Sequence, residues 1–434
     1  MKLAIVVQRY GADINGGAEL HARYVAEHLS QHAAVEVLTT RARDYVTWRD
    51  DYPPGIETVN AVPVRRFHVD HPRDPHVFGR WSDRVFNHTH SYRDELAWLN
   101  AEGPKSSALL RHLRSAHADY DYVFFFSYRY YHSYHGIRAL PSRAVLVPTA
   151  ERDEAIGLAV SPRVFRGARA LMYNSPEEKR LIQTVSNNHD VPGVVVGIGS
   201  EIPIRTHPDR FRQKYGINGR FALYVGRIDQ NKGCKELFSF FLQGLQSLPR
   251  GLQLVLIGKE MLPIPVHPRI HHLGFLNDQD KFDALAACDL LVMPSYYESL
   301  SMVALEAWAL GRPVLANAQC DVLIGQCLRS NAGLYYEDAA EFGAALDALL
   351  DDRRMTSALG ENGRRYFARH YSWPVIERKY LDMFERLKTM SPTHTMEPLP
   401  GWFALNRRSI PPASEVLNTV PSGPVLQKPA EATA

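Results

Sequence analysis

The chain has 434 residues, 45% hydrophobic and 22% charged, enough apolar material for more than one core. Lys plus Arg number 50 and Asp plus Glu 47, and a net charge of +3 over this length excludes a global drive toward nucleic acid or anionic lipid. Cys234, Cys288, Cys320 and Cys327 form no C-x-x-C pair, which argues against a disulfide framework or a zinc site and fits a reducing, cytoplasmic compartment.

In chain order, the first residues turn polar too soon for a signal segment, and no apolar run has the length of a membrane span. Short runs rich in Val, Ile, Leu and aromatics then recur, each followed by a turn signal and a helical pattern, as buried parallel strands do. They fall at 3–7, 35–39, 123–126, 144–147, 170–174 and 194–196, and again at 222–225, 252–257, 290–293, 313–316 and 333–336. This predicts an α/β chain of two doubly wound, Rossmann-like lobes.

After the first run, Asn15, Gly16 and Gly17 open a helix. Paired glycines let backbone approach a ligand closely with amides turned toward a phosphate, although such pairs also make ordinary turns and the pattern is not G-x-G-x-x-G. Residues 41–119 show weak periodicity and read as a long irregular insertion. Their histidines (His68, His71, His76, His88, His90) lack an i, i+4 pair backed by Glu and read as surface and packing residues. Ser175, Pro176 and Glu178 spell a capping box with proline at N1. Gly and Pro interrupt the pattern at 197–208, a hinge between lobes.

In the second half, Gly226, Arg227, Asp229, Lys232 and Gly233 follow a strand and precede a helix. Arg and Lys five residues apart suit a diphosphate, the one bidentate and the other a point charge; a solvated basic loop is the plain alternative. Asp278 and Asp280 resemble a metal-binding Asp-x-Asp, but they stand before a helix at Lys281, where N-capping explains them, so no metal is required. The most specific segment runs from Pro294 through Glu298, Ser299, Leu300, Ser301 and Glu306 to Gly311. A strand ends before it and a helix begins near Ser299, so the free amides at 299–302 face the sheet edge where open α/β folds bind ligands. Eight residues along one helix would leave Glu298 and Glu306 about 80° apart, so both face one ligand only if Glu298 precedes the helix. Beside a diphosphate they serve as acceptors for sugar and ribose hydroxyls; the alternative is a dipole partner and a solvated face residue. A last helix spans 371–387, and from 391 the chain is rich in Pro, Ser, Thr and Ala, a linker-like tail in which Trp402 and Phe403 are the docking candidates.

In order and spacing, residues 1–390 resemble glycosyltransferase family 4, retaining group 1 enzymes of the GT-B fold, most specifically in the Glu-x7-Glu element and in the Gly-Arg-Ile-Asp-x-x-Lys-Gly segment. The resemblance implies an acceptor lobe at 1–200, a nucleotide-sugar lobe at 201–370, a closing helix at 371–390 that returns to the first lobe, and a tail at 391–434. It implies a hexosyltransferase moving a sugar from a UDP- or GDP-linked donor, with retention, to a glycan or lipid-linked acceptor in bacterial polysaccharide or glycolipid assembly. No cofactor is implied, the nucleotide-sugar being a substrate. Arg227 and Lys232 would hold the diphosphate with Gly226; Glu306 the ribose; Glu298 the transferred sugar; Ser299, Leu300 and Ser301 the donor through backbone; and Gly16 and Gly17 its phosphates from the opposite lobe. Where the family often has His after Pro-Thr-Ala, this chain has Glu151, a catalytic candidate in its place, with His132 and His135 as substitutes or as part of a tyrosine-rich packing surface. Arg163, Arg166 and Arg169 beside Phe165 would favour peripheral contact with the inner membrane face. An epimerase or phosphorylase on the same fold, or a non-catalytic sugar-nucleotide-binding protein, would share these features.

Overall fold

The structure is a computed structural model that describes residues 1–14, 16–246 and 251–392. Asn15, Trp402 and Phe403 lie outside the described residues, as does the tail beyond Pro392. The first lobe is built on eight strands: β1 (Lys2–Val7), β2 (Ala34–Thr40), β3 (Gly55–Val59), β4 (Val62–Phe67), β5 (Tyr122–Phe126), β6 (Ala144–Val147), β7 (Ala170–Tyr173) and β8 (Gly193–Val195). Their order is β3-β4-β2-β1-β5-β6-β7-β8, parallel except for the β3–β4 hairpin. Every residue of β5, β6 and β7 is buried, because helices cover both faces: α1 (Gly17–Leu29), α2 (Pro75–Asn87), α3 (Tyr92–Glu102), α4 (Ser107–Ala116), α5 (Tyr131–Ala139), α6 (Val160–Gly167) and α7 (Pro176–Ser186).

The second lobe follows a connecting segment and α8 (Pro208–Tyr215). Its sheet holds β9 (Phe221–Val225), β10 (Gln253–Ile257), β11 (Ile270–His272), β12 (Leu290–Met293), β13 (Val314–Asn317) and β14 (Gly333–Tyr336), all parallel in the order β11-β10-β9-β12-β13-β14. Around it lie α9 (Cys234–Gln243), α10 (Asp278–Ala287), α11 (Met302–Ala309), α12 (Asp321–Ser330), α13 (Ala339–Asp351) and α14 (Arg353–His370). In both sheets the strands after the first one build outward on one side of it, β2 then β4 beside β1 and β10 then β11 beside β9, and the chain then crosses to the other side with β5 or β12. Such a reversal opens a crevice at the carboxyl ends of the strands, where ligands bind.

The last helix, α15 (Trp373–Thr389), buries Trp373, Ile376, Tyr380, Met383, Phe384 and Leu387, a stripe at helical spacing. That stripe lies on the first lobe. Trp373 stacks on His28 of α1 at 3.6 Å, and Phe384 stacks on Tyr122 at 5.4 Å.

Residues 41–119 correct the reading of an irregular insertion, since they hold the β3–β4 hairpin and helices α2, α3 and α4. The hairpin turns through Asn60 and Ala61, both at positive φ (47° and 66°), the geometry of a two-residue primed turn. Alanine at the second position hides a turn that glycine would have announced. Asn277 caps α10, which starts at Asp278, three residues before Lys281.

Two buried histidines make a pH prediction. Burial pushes the His21 imidazole down to about 3 and that of His132 down to about 4, the latter against a bond to the Phe126 carbonyl. A histidine with a depressed native pKa contributes nothing above its unfolded value near 6.5; below it, the unfolded chain takes a proton that the native chain refuses. Stability should therefore fall from pH 6.5 toward pH 4 by about 2.7 kcal/mol per pH unit for the two together. Denaturant melts at stepped pH on the native chain and on His21→Leu check this, and the two slopes should differ by about 1.4 kcal/mol per pH unit.

Candidate active site at the mouth of the second lobe

Two loops at the carboxyl edge of the second sheet form the centre of the site. The first leaves β9 beside the segment after β10: Gly226 N–H donates to Ile257 O, and Ile228 N–H to Lys259 O, both at 2.9 Å. Asp229 organises its tip, accepting the Lys232 N–H at 2.8 Å through Oδ1 and the Arg227 guanidinium through Oδ2. One carboxylate thus holds the guanidinium of Arg227 and the backbone of Lys232. Burial works against the Arg227 charge, but the Asp229 bond outweighs it and holds the pKa above the ordinary arginine value. Gly233 caps α9 at φ 68°, and a Cβ there would stand 1.9 Å from Pro294 O. Only glycine lets this loop touch the second one.

The second loop runs from Pro294 to Ser301 between β12 and α11. The helix begins at Met302, one turn later than the sequence suggested, so Glu298 and Ser299 precede it and Ser301 is its N-cap, accepting the Ala304 N–H at 3.3 Å. The amides facing outward at the helix start are accordingly those after Ser301. Ser301 has φ 83°, a conformation that glycine adopts freely and serine rarely. Leu300 points its side chain into the core at 1% exposure, leaving only its backbone for a ligand, and its carbonyl accepts from Gln326 Nε2.

Lys232 Nζ donates to Glu298 Oε1 at 2.7 Å. Burial disfavours its ammonium, yet the carboxylates of Glu298 and Glu151 outweigh burial and hold the pKa above the ordinary lysine range. Glu151, from the first lobe, is pushed up by burial and by Glu298, against the pull of Lys232. The structure therefore brings Lys232, Glu298 and Glu151 together across the two lobes. Glu306, 1% exposed, lies in α11 with Oε1 bonded to Ser200 Oγ at 2.8 Å and Lys281 Nζ at 2.9 Å, while its buried Oε2 has no partner among the described residues. A carboxylate oxygen in that position can accept a hydrogen bond from a hydroxyl. Lys281 and Ser200 escaped the sequence reading because neither carries a local motif and each meets Glu306 only through the fold.

On the facing edge, Gly16 caps α1 with no side-chain cap bond among the described residues, and Gly17 is its first residue. A Cβ on Gly16 would fall 2.1 Å from Glu19 Oε2, so this glycine also lets Glu19 reach Arg9 at 2.5 Å. Arg9 lies over the Tyr45 ring, 5.6 Å from its centroid. A cleft of about 530 Å³ continues outward from Glu151 and Glu298 between α7 and α12. Two ion pairs flank it, Arg329 with Glu177 at 2.5 Å and Arg152 with Asp321 at 2.9 Å.

Several other expectations change. His132 is buried behind the cleft on the Phe126 carbonyl, and His135 lies against Tyr131 and Tyr134, so both belong to packing. Phe165 is fully buried and Arg169 caps the end of α15 on the carbonyls of Leu387, Met390 and Ser391, which removes them from any membrane-facing patch. Ser175 caps α7, but Glu178 does not close the box: it bonds Ala150 N–H and Asn174 N–H instead. Burial pushes the Glu178 carboxyl up to about 8 although both amides oppose it.

Residues 219–352 match the profile of the family described as "Glycosyl transferases group 1". The MMP alpha-(1->4)-mannosyltransferase of Mycolicibacterium hassiacum is 32% identical over 122 residues, 27% of this chain and 29% of that protein. The D-inositol 3-phosphate glycosyltransferase of Corynebacterium efficiens is 26% identical over 218 residues, 45% of this chain and 51% of that one. The chain thus spans about half the length, or less, of these curated relatives. Among solved structures, sucrose-phosphate synthase from Thermosynechococcus elongatus aligns with a TM-score of 0.65 at 18% identity, covering 90% of this chain and all of that one (100%). Anabaena HepE in complex with UDP and glucose aligns with a TM-score of 0.65 at 17% identity, covering 89% of this chain and 100% of that one. The architecture is GT-B, two parallel-sheet α/β lobes across a cleft, and the second lobe is related to the group 1 glycosyl transferases.

Proposed function

We propose that this chain is a retaining hexosyltransferase of the family 4 type, moving a sugar from a UDP- or GDP-linked donor to an acceptor hydroxyl. The observation that carries the reading is the meeting of Arg227, Lys232 and the start of α11 with two carboxylates, Glu298 and Glu306, at one sheet edge. A departing nucleoside diphosphate gains negative charge, and those cations and amides stand ready to take it. Arg227 and Lys232 hold the diphosphate, with Gly226 allowing close backbone approach; Gly16 and Gly17 at the start of α1 meet the phosphates from the other side. Glu306 Oε2 takes a ribose hydroxyl. Glu298 and Glu151 take hydroxyls of the transferred sugar, and Ser299, Leu300 and Ser301 contribute backbone groups. Relatives support the donor class: one is described as GDP-mannose-dependent, and a structural neighbour is complexed with UDP-glucose.

No cofactor or metal has a role in this reading, the positive charge being supplied by side chains and helix amides, so chelation with EDTA should leave turnover unchanged. In the same proposal the acceptor is a glycan or lipid-linked sugar in polysaccharide or glycolipid assembly, met at the cytoplasmic side with peripheral membrane contact; the acceptor class is supported by the reactions that two relatives are named for. No helix of the described residues is long and apolar enough to cross a membrane.

A thermal-shift screen of UDP, GDP, ADP and their sugars tests the donor site, since a ligand at a hundred times its Kd stabilises the native state by about 2.7 kcal/mol. One base should stand out, and its sugar should then be transferred with the same anomeric configuration, read by NMR. Binding without transfer would make the chain a binding protein; product without acceptor, an epimerase; consumption of inorganic phosphate, a phosphorylase.

A further inference from the structure

The first turn of α7 holds a carboxylate for which the proposed transfer has no use. Glu178 stands at the third position of the helix, and its backbone N–H donates to Ser175 Oγ at 3.1 Å. In a capping box its side chain would turn back to the N–H of the capping residue. Here Oε1 instead accepts the Ala150 N–H at 2.6 Å, and Oε2 accepts the N–H of Asn174. The side chain is 1% exposed and forms no ion pair among the described residues. Burying an acid without a cation beside it is a costly way to cap a helix, so its placement calls for a second reason.

The two amides it holds supply one. Ala150 follows β6 and immediately precedes Glu151, which reaches Lys232 and Glu298 electrostatically. Asn174 follows β7 and sends Nδ2 across the cleft to Ser299 Oγ at 3.3 Å, one residue from Glu298. Two first-lobe groups that face the Glu298–Ser299 loop, Glu151 across the shared cleft and Asn174 through its bond to Ser299, are therefore fixed from behind by the same side chain. The adjacent Glu177 adds the cross-lobe pair to Arg329.

We infer that Glu178 is a positioning residue of the donor site: by clamping the amides of Ala150 and Asn174, it sets Glu151 and Asn174 against the second-lobe loop that carries Glu298. This rests on the reading of the cleft as a transfer site, but the clamp has consequences that are measurable without turnover. Glu178→Gln keeps the size and one acceptor oxygen while turning an NH2 group toward one of the two amides. Expected are a kcat at least thirtyfold lower, UDP or GDP affinity within twofold of the native chain, and a melting temperature changed by only a few degrees. Hydrogen exchange should quicken at 148–151 and also at 297–301, which Glu178 never touches. Asn174→Ala removes the crossing bond alone and should quicken 297–301 while leaving 148–151 as it is.

Turnover within threefold of native in a folded Glu178→Gln chain, or faster exchange confined to the first lobe, would reduce Glu178 to a local prop and overturn the inference. Should Glu178→Gln fail to fold, Asn174→Ala decides, with unchanged exchange at 297–301 counting against it. If the native chain turns over no donor, the transferase reading fails by itself and the exchange measurements still judge the clamp.

Discussion

Replacing Lys232 by alanine is expected to lower kcat/KM for the preferred nucleotide-sugar about a thousandfold while leaving the chain folded. The size follows from charge: one cation about 4 Å from the leaving diphosphate, at an effective dielectric near 20, contributes about 4 kcal/mol, or close to three decades of rate. Loss of the ammonium also strands two carboxylates. Glu298 loses its 2.7 Å partner, and Glu151, already raised by burial and by Glu298, loses the charge that opposes that rise. Glu151 should then titrate at higher pH than in the native chain, so the acid limb of the pH–rate profile should move up in the variant. Lys235, exposed on the next turn, is the control, and Lys235→Ala should leave the rate alone. Turnover of Lys232→Ala within threefold of native, across every donor that binds, would remove the diphosphate site from this loop.

What made the fold legible is the physics of parallel sheets. Strands buried on both faces must be apolar throughout, so β5, β6, β9 and β12 stand out as unbroken runs ended by turn residues. Edge elements lack that signature. β3 is largely exposed, β4 alternates, and the turn between them uses Ala61, so the hairpin merged with its surroundings. Within the site, Arg227, Lys232, Glu298 and Glu306 could be nominated because each lies in a short segment whose chemistry is local. Their partners could not. Ser200, Lys281 and Asn174 meet their site partners across 25 to 125 residues, and Glu178 reaches Ala150 across 28 although its bond to Asn174 is local. The start of α11 was misplaced by a turn for a related reason: Ser301 adopts a glycine-like φ, which no pattern of serines announces.

Gly233→Ala is expected to be strongly damaging to the second lobe for a change of a single methyl group. At φ 68° an alanine bears a penalty of about 1–2 kcal/mol for its left-handed backbone alone. Its Cβ would also sit 1.9 Å from Pro294 O and 2.7 Å from the carbonyl carbon, both main-chain atoms that no rotamer change can move aside. Relief requires the two loops to separate, and forced overpacking of this kind adds about 1–3 kcal/mol. A total of about 3 kcal/mol corresponds to a melting temperature lower by about 6–12 °C for a lobe of this size. Activity should fall further than stability, because Pro294 begins the loop that carries Glu298 and Ser299. Its carbonyl is also held by Asn317 Nδ2 at 3.2 Å, so displacement would be passed to the end of β13 and to Glu236, which shares that amide. Gly343→Ala is the matched control: it lies inside α13 with no atom within 4 Å of a new Cβ, and there alanine should stabilise the helix by about 0.5–1 kcal/mol. Equal melting temperatures for the two variants would mean that the loops are not in contact at Gly233, and the geometry assigned to Lys232 one residue earlier would fall with it.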